Sequence, residues 1–137
     1  MNILYFIPVL VLLFPVLNFT GCPGSNKQYP LKGTEWKLET LNGKTVLLKG
    51  GNYVTLNFAG STEKISGACV CNTYFGSYVK SADSITFSGI GSTKMMCDDN
   101  LNESDYFDAL GSVDSYKISG GKLSLIRKGT AIAVFIQ

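Results

Sequence analysis

Residues 67–78 read GACVCNTYFGSY, and this stretch decides how the rest of the chain is interpreted. Two cysteines, two glycines, an asparagine and three aromatics share its twelve positions. Glycine suits backbone conformations that a Cβ would obstruct. From Tyr74 onward the residues alternate. Tyr74, Gly76 and Tyr78 fall on one face of an extended segment, and Phe75, Ser77 and Val79 fall on the other. The stretch therefore reads as a turn or bulge entering a strand, with Gly67, Asn72 and Gly76 as turn-makers.

The same period recurs on both sides. Before the stretch, Trp36 and Leu38, with Leu41 less regularly, mark a strand that ends at Asn42-Gly43, a strong hairpin dipeptide. Val46 to Lys49 reads as a short return strand closed by Gly50 and Gly51. Val54, Leu56 and Phe58 alternate with Thr55 and Asn57, the pattern of a half-buried strand. After it, Ile85 and Phe87 point inward from another strand. Tyr116 to Ile118, a Ser119-Gly120-Gly121 turn, Leu123 with Leu125, and Ala131 to Ile136 complete the series. Only the segment 102–110 breaks the rhythm: Tyr106, Phe107 and Leu110 have helical spacing, Asn102 is placed to cap, and Gly111 is placed to terminate. The expected fold is mainly β with one short helix near 102–110, as a single antiparallel barrel or sandwich of about eight short strands.

Composition fits one packed domain. The chain has 137 residues, 45% of them apolar and 16% charged, which is far from the disordered range. Twelve Lys plus Arg against ten Asp plus Glu give a net charge of +2, too balanced for a nucleic-acid surface. Residues 3–19 are almost wholly apolar and precede Thr20-Gly21-Cys22, which reads as a secretory signal over 1–21. Its ending resembles a bacterial lipobox, in which Cys22 becomes the first mature residue and is acylated. Phe19 and the lack of Lys or Arg near the start depart from that pattern, and an ordinary cleaved signal is the alternative. Pro8 and Pro15 argue against a membrane-spanning helix. Residues 22–32 then read as a polar tether, and the folded domain as 33–137.

Chemistry is thinly represented. There is no histidine, which removes the commonest general base and metal ligand together. No Gly-x-Ser-x-Gly or phosphate loop occurs, so catalysis is not expected. Asp98, Asn100 and Asn102 imitate the start of a calcium loop, but Glu103 and Ala109 occupy its diagnostic glycine and acid positions. The acids are better explained as compensation for the helix dipole. If Cys22 is acylated, Cys69, Cys71 and Cys97 remain. Cys69 and Cys71, alternate residues of a strand, make a poor pair, so Cys97 is expected to bridge one of them. A bridge closing about 27 residues contributes roughly 3.5 kcal/mol on the chain-entropy model. Left unbridged, Cys69, Cys71, Met95, Met96 and Cys97 would instead be a soft ligand set for copper(I).

Taken together, Gly67, the run Cys71-Asn72-Thr73-Tyr74-Phe75-Gly76-Ser77-Tyr78, Thr93-Lys94-Met95-Met96-Cys97 and Glu103 before an aromatic helix resemble the META domain of HslJ-type envelope proteins. Trp36-Lys37-Leu38, Phe58 and Leu123-Ser124-Leu125 fit the same pattern over about 33–137. The chain departs from it at Val70, where the family commonly has glycine, and in the additional Cys69. By motif position, the resemblance implies a Cys71–Cys97 disulfide. It also implies a small, mostly β, partly open barrel, with no established catalytic activity and no cofactor. Many such proteins are bacterial envelope lipoproteins, some linked to heat-shock or drug-tolerance responses.

The expected function follows from both readings. The chain would be a non-catalytic envelope protein, held to a membrane through acylated Cys22 and facing the periplasm or exterior. It would act on an envelope protein partner. The alternative is a binding module in which some of Tyr53, Phe58, Tyr74, Phe75, Tyr78, Phe87, Tyr106, Phe107 and Tyr116 line a cleft for a lipid or another apolar ligand.

Overall fold

The structure, a computed structural model, describes residues 29–137. Its strands are β1 (Glu35–Leu41), β2 (Lys44–Thr45), β3 (Thr55–Phe58), β4 (Lys64–Cys69), β5 (Asn72–Ser81), β6 (Ser84–Ser92), β7 (Ser115–Ser119), β8 (Lys122–Arg127) and β9 (Thr130–Ile136). One helix, α1 (Glu103–Gly111), connects β6 to β7. All strand pairings are antiparallel, and β1 pairs with β9 as well as with β3, so the sheet returns on itself. The ring is weakest between β6 and β7, which share the single register pair Ser84↔Ser115. Beyond that pair, α1 packs beside β6. Of the barrel or sandwich that the strand pattern allows, this is the partly open barrel that the resemblance implies, with nine strands rather than about eight.

Turn chemistry sets much of the register. Leu41 pairs with Lys44 across Asn42 and Gly43, both at positive φ, the backbone that makes Asn-Gly a tight hairpin connection. The return strand itself is shorter and earlier than the sequence suggests. It is Lys44–Thr45, extended by one bond from the Val46 amide to Glu39 O at 2.9 Å; Leu47 and Leu48 lie outside any strand, and Lys49–Gly51 forms a 3-10 turn. The strand expected over Val46 to Lys49 does not continue, because the β1 edge it would have to follow is taken by β3 from Leu38 back.

The core is continuous and aromatic. Trp36, Leu38, Leu56, Tyr74, Tyr78, Ile85, Tyr106, Leu110, Leu123, Leu125 and Phe135 are all buried and form one cluster. Of the aromatic residues considered for a ligand cleft, Phe58, Tyr74, Tyr78, Phe87 and Tyr106 belong to this packing. Tyr53 and Phe75 face outward. Phe75 lies over Gly91, where an added Cβ would come within 2.9 Å of its ring. Leu31, at the end of the segment read as a tether, is buried and accepts a 3.1 Å hydrogen bond from Trp36 Nε1.

α1 begins as expected and ends differently. Asn102 Oδ1 accepts from the Ser104 amide at 3.0 Å, and Glu103 and Asp105 occupy the first turn. Gly111 is the last helical residue rather than a left-handed cap. The closing position is Ser112, whose amide donates back to the carbonyls of Ala109 and Leu110.

Topology distinguishes the two ends of the barrel. The β4–β5 turn and residues 93–97 share one, which we call the disulfide end. The β5–β6 and β7–β8 turns and the entering segment 29–34 share the other, the entry end.

Candidate functional site

The stretch 67–78 is a hairpin, and its turn lies at Val70 and Cys71. Cys69 pairs with Asn72 across these two residues. Val70 has φ +55°, and a positive φ at the first loop residue is where hairpins of this kind favour glycine. Gly67, Asn72 and Gly76 are therefore not turn-makers. Each is there for proximity instead.

Gly67 sits inside β4, directly opposite Tyr74. A Cβ there would run into the Thr55 carbonyl and approach Tyr74 Cε1 at 2.7 Å. Its absence lets the Tyr74 ring pass over the strand, so that its hydroxyl reaches the Thr55 carbonyl at 2.7 Å. Tyr106 comes within 2.7 Å of the same hydroxyl. Since Tyr74 has one proton and Thr55 O can only accept, Tyr106 donates to Tyr74. Burial pushes both phenols above their ordinary pKa, Tyr106 well above it. Gly76 is buried, and a Cβ would be 3.2 Å from Ser88 O and 3.3 Å from Ile90.

Asn72 is the organising residue of the disulfide end. It is 1% exposed and uses both ends of its amide. Its Oδ1 accepts from Thr93 Oγ1 at 2.7 Å and from the Met95 amide at 2.8 Å. Its Nδ2 donates to Met95 O at 3.0 Å and to Glu103 Oε2 at 2.8 Å. One side chain thus joins β5, the 93–97 segment and the first residue of α1. A buried amide satisfied in this way specifies a single arrangement of the groups around it. Glu103 appears in the motif, but nothing in the sequence indicates that it is the acceptor of Asn72; thirty-one residues separate them.

Cys71 and Cys97 form a disulfide, with Cα atoms 5.7 Å apart. Cys97 therefore bridges Cys71, as motif position implies. The bond removes two thiolates from the five-sulfur set considered for copper(I), and Met96 points fully into solvent. Among the described residues no group of three or more His, Cys, Asp or Glu is placed to hold a metal ion. Among the described residues Cys69 is the free thiol, buried in the core. Burial, assisted by the negative charge of Glu103, pushes its pKa up to about 12.

The calcium-like residues have other partners. Asp98 pairs with Lys49 at 3.0 Å, and Asp99 accepts from the Lys49 amide at 3.2 Å from each oxygen. Asn100 Nδ2 reaches Leu47 O at 3.4 Å. The segment following the disulfide is thereby fastened to the segment following β2. A surface groove of about 430 Å³ lies beside this junction, lined by Val46, Leu47, Asn102 and Asp105 among others. Cys22 and the signal over 1–21 lie outside the described residues.

Fastened loop, buried asparagine and nearly closed barrel together define a domain class, and comparison with known proteins agrees. The chain belongs to the META domain family: the family model matches residues 29–137. That match begins four residues before Gly33 and includes buried Leu31. A protein from Burkholderia xenovorans, solved by NMR, has the same fold at a TM-score of 0.59. It is 24% identical, with 77% of this chain and 82% of that one covered. A second protein solved by NMR gives a TM-score of 0.58 at 27% identity, covering 74% of this chain and 87% of its own. No curated protein matches this chain.

Proposed function

We propose that this protein is a non-catalytic, lipid-anchored component of the bacterial envelope that works by contacting another envelope protein. Its setting would be envelope stress or drug tolerance, following the family resemblance. The observation that supports this reading is how the motif residues are used. Disulfide, Asn72 and Glu103 all serve to hold one short loop, and that loop presents Met95 and Met96, 59% and 102% exposed, to solvent. Exposed methionines on a rigid support suit a protein contact, because the thioether is apolar and adapts to its neighbour. Nucleophile activation finds no support at the same place, since the free thiol is buried and held protonated.

Orientation fits the anchor. The chain enters the barrel at the opposite end, where Tyr29 lies beside Gly121 and Gln137. Acylation of Cys22, seven positions earlier, would hold the entry end within about 25 Å of a membrane and turn the methionine loop away from it. A ligand inside the barrel finds less support, because the interior is filled by Trp36, Tyr74, Tyr106 and Phe135.

The test places a photo-crosslinking residue at position 96, and separately at Ser81 on the entry end, in membrane-anchored protein. One discrete adduct from position 96, lost on Met95→Lys and absent from position 81, is the expected result. Equal or no adducts from the two positions contradict the reading. Anchoring is read from Cys22→Ser, which is expected to leave the membrane fraction.

A further inference from the structure

The entry end carries a feature that the methionine loop does not explain. Tyr78 is 2% exposed, and its hydroxyl is the buried side-chain polar atom without a hydrogen-bond partner among the described residues. An orphaned phenol in a core where Tyr74 and Tyr106 are fully paired calls for a partner. Its surroundings are cationic and aromatic. Lys32 Nζ lies 6.0 Å from the Tyr78 ring centroid. Lys80, two residues on from Tyr78 along β5 and beyond the buried part of that strand, places its Nζ 5.4 Å from the ring centroid of Tyr116. Both lysines are exposed. Tyr116 also lines a surface groove of about 550 Å³ with Ile118, Ile126, Ser115, Lys117 and Asp83. Two acids are near: Asp83 acts on the Lys80 charge, and the Glu63 carbonyl receives the Tyr78 amide at 3.0 Å.

We infer that the entry end binds the headgroup of an anionic phospholipid, with Tyr78 donating its hydroxyl to the phosphate and Lys32 and Lys80 flanking it. The half-buried side chains of Tyr116 and Ile118, which share a face of β7, would take the apolar part nearest the headgroup. Two lysines and one unpaired donor are complementary to a phosphodiester, and the apolar surface of Tyr116, under Lys80, and of Ile118 on the same face distinguishes a lipid from a bare anion. Lys32 is exposed over the Tyr78 ring, and no hydrogen bond or ion pair holds it among the described residues, so it can move aside. The choice of a lipid rests on the proposed anchor, which would bring this end to a bilayer. The acyl chains on Cys22 would then supply attachment, and the lysines would fix which end faces the headgroups.

The test uses the mature chain from residue 22 with Cys22→Ser, since the whole described core lies between Leu31 and Phe135. It is titrated with dioctanoyl phosphatidylglycerol, dioctanoyl phosphatidylcholine and inorganic phosphate, and followed by NMR. Saturable shifts at Lys32, Tyr78, Lys80 and Tyr116 with the anionic lipid are expected. Binding should weaken by roughly 30-fold in K32Q/K80Q and by about tenfold in Y78F. Y78F removes a hydroxyl that has no partner, so the domain should remain folded and the result interpretable. Equal response to phosphatidylcholine, or unchanged affinity in both variants, overturns the inference. Phosphate binding as tight as the lipid, with Ile118 undisturbed, assigns the site to a soluble anion instead and also overturns it. Acylation is read independently from the intact mass of the wild-type protein. A missing acyl mass with lipid binding intact would remove the anchor and leave this site.

Discussion

Single residues of the 67–78 stretch differ in what the sequence reveals about them. Burial of Tyr74 and Tyr78 follows from alternation, yet their identical side chains have opposite energetics. Tyr74→Phe leaves the Thr55 carbonyl and the Tyr106 hydroxyl without their partner, and a loss of about 2–3 kcal/mol is expected in urea denaturation. Tyr78→Phe deletes an unpaired hydroxyl, so its midpoint should stay the same or rise. The distinction was not legible beforehand, because both partners of Tyr74 are remote in sequence. Val70 was visible as a departure from the family glycine, and its φ of +55° gives the reason that position favours glycine. Val70→Gly is expected to stabilise by about 0.5–1 kcal/mol, the removed left-handed strain outweighing the gain in unfolded-chain entropy. Cys69 contributes a pH dependence. Its folded pKa of about 12 exceeds the ordinary 9.0, so the unfolded chain loses the proton first and stability falls as pH rises from 9 towards 12. At pH 10.5 the loss is about 2 kcal/mol. Urea midpoints for Cys69→Ala should therefore decline less between pH 7.5 and 10.5 than those of the wild type.

At the scale of elements, strands were legible where turn chemistry and alternation agreed. Asn42-Gly43 and Gly120-Gly121 both sit at positive φ between paired strands. Prediction failed where a local pattern competed with a distant pairing, as at Val46 to Lys49, or where a helix could end on Ser112 rather than Gly111. The segment 93–97 has no regular structure of its own and owes its shape to Cys71 and Asn72. Asn72→Ala removes five hydrogen bonds at once, with Thr93, Met95, Cys97 and Glu103. A loss of about 3 kcal/mol is expected. Hydrogen exchange at the Met95 amide should rise well beyond that of β5, because the bridge alone fixes only one point of the loop. Equal protection in the variant would mean that the disulfide holds the loop without Asn72.

For the whole molecule, strand count and fold class were legible, but closure was not. The β1–β9 pairing joins Lys37 to Ile136 and Leu41 to Ala133, contacts between the two ends of the domain that no local period encodes. Nor does any period show that β6 and β7 share one register pair while α1 packs beside the strand they leave open. What the molecule presents is a packed barrel with a fastened methionine loop at one end and a cationic, tyrosine-lined surface at the other. This account depends on the motif cysteines being structural. The most direct measurement is therefore the mass of the protein after alkylation in denaturant, with and without prior reduction, in the chain bearing Cys22→Ser. One alkylated thiol without reductant, mapped to Cys69, and three with it are predicted. Three without reductant would contradict the account, since Cys71 and Cys97 would be free and their segment a candidate metal site.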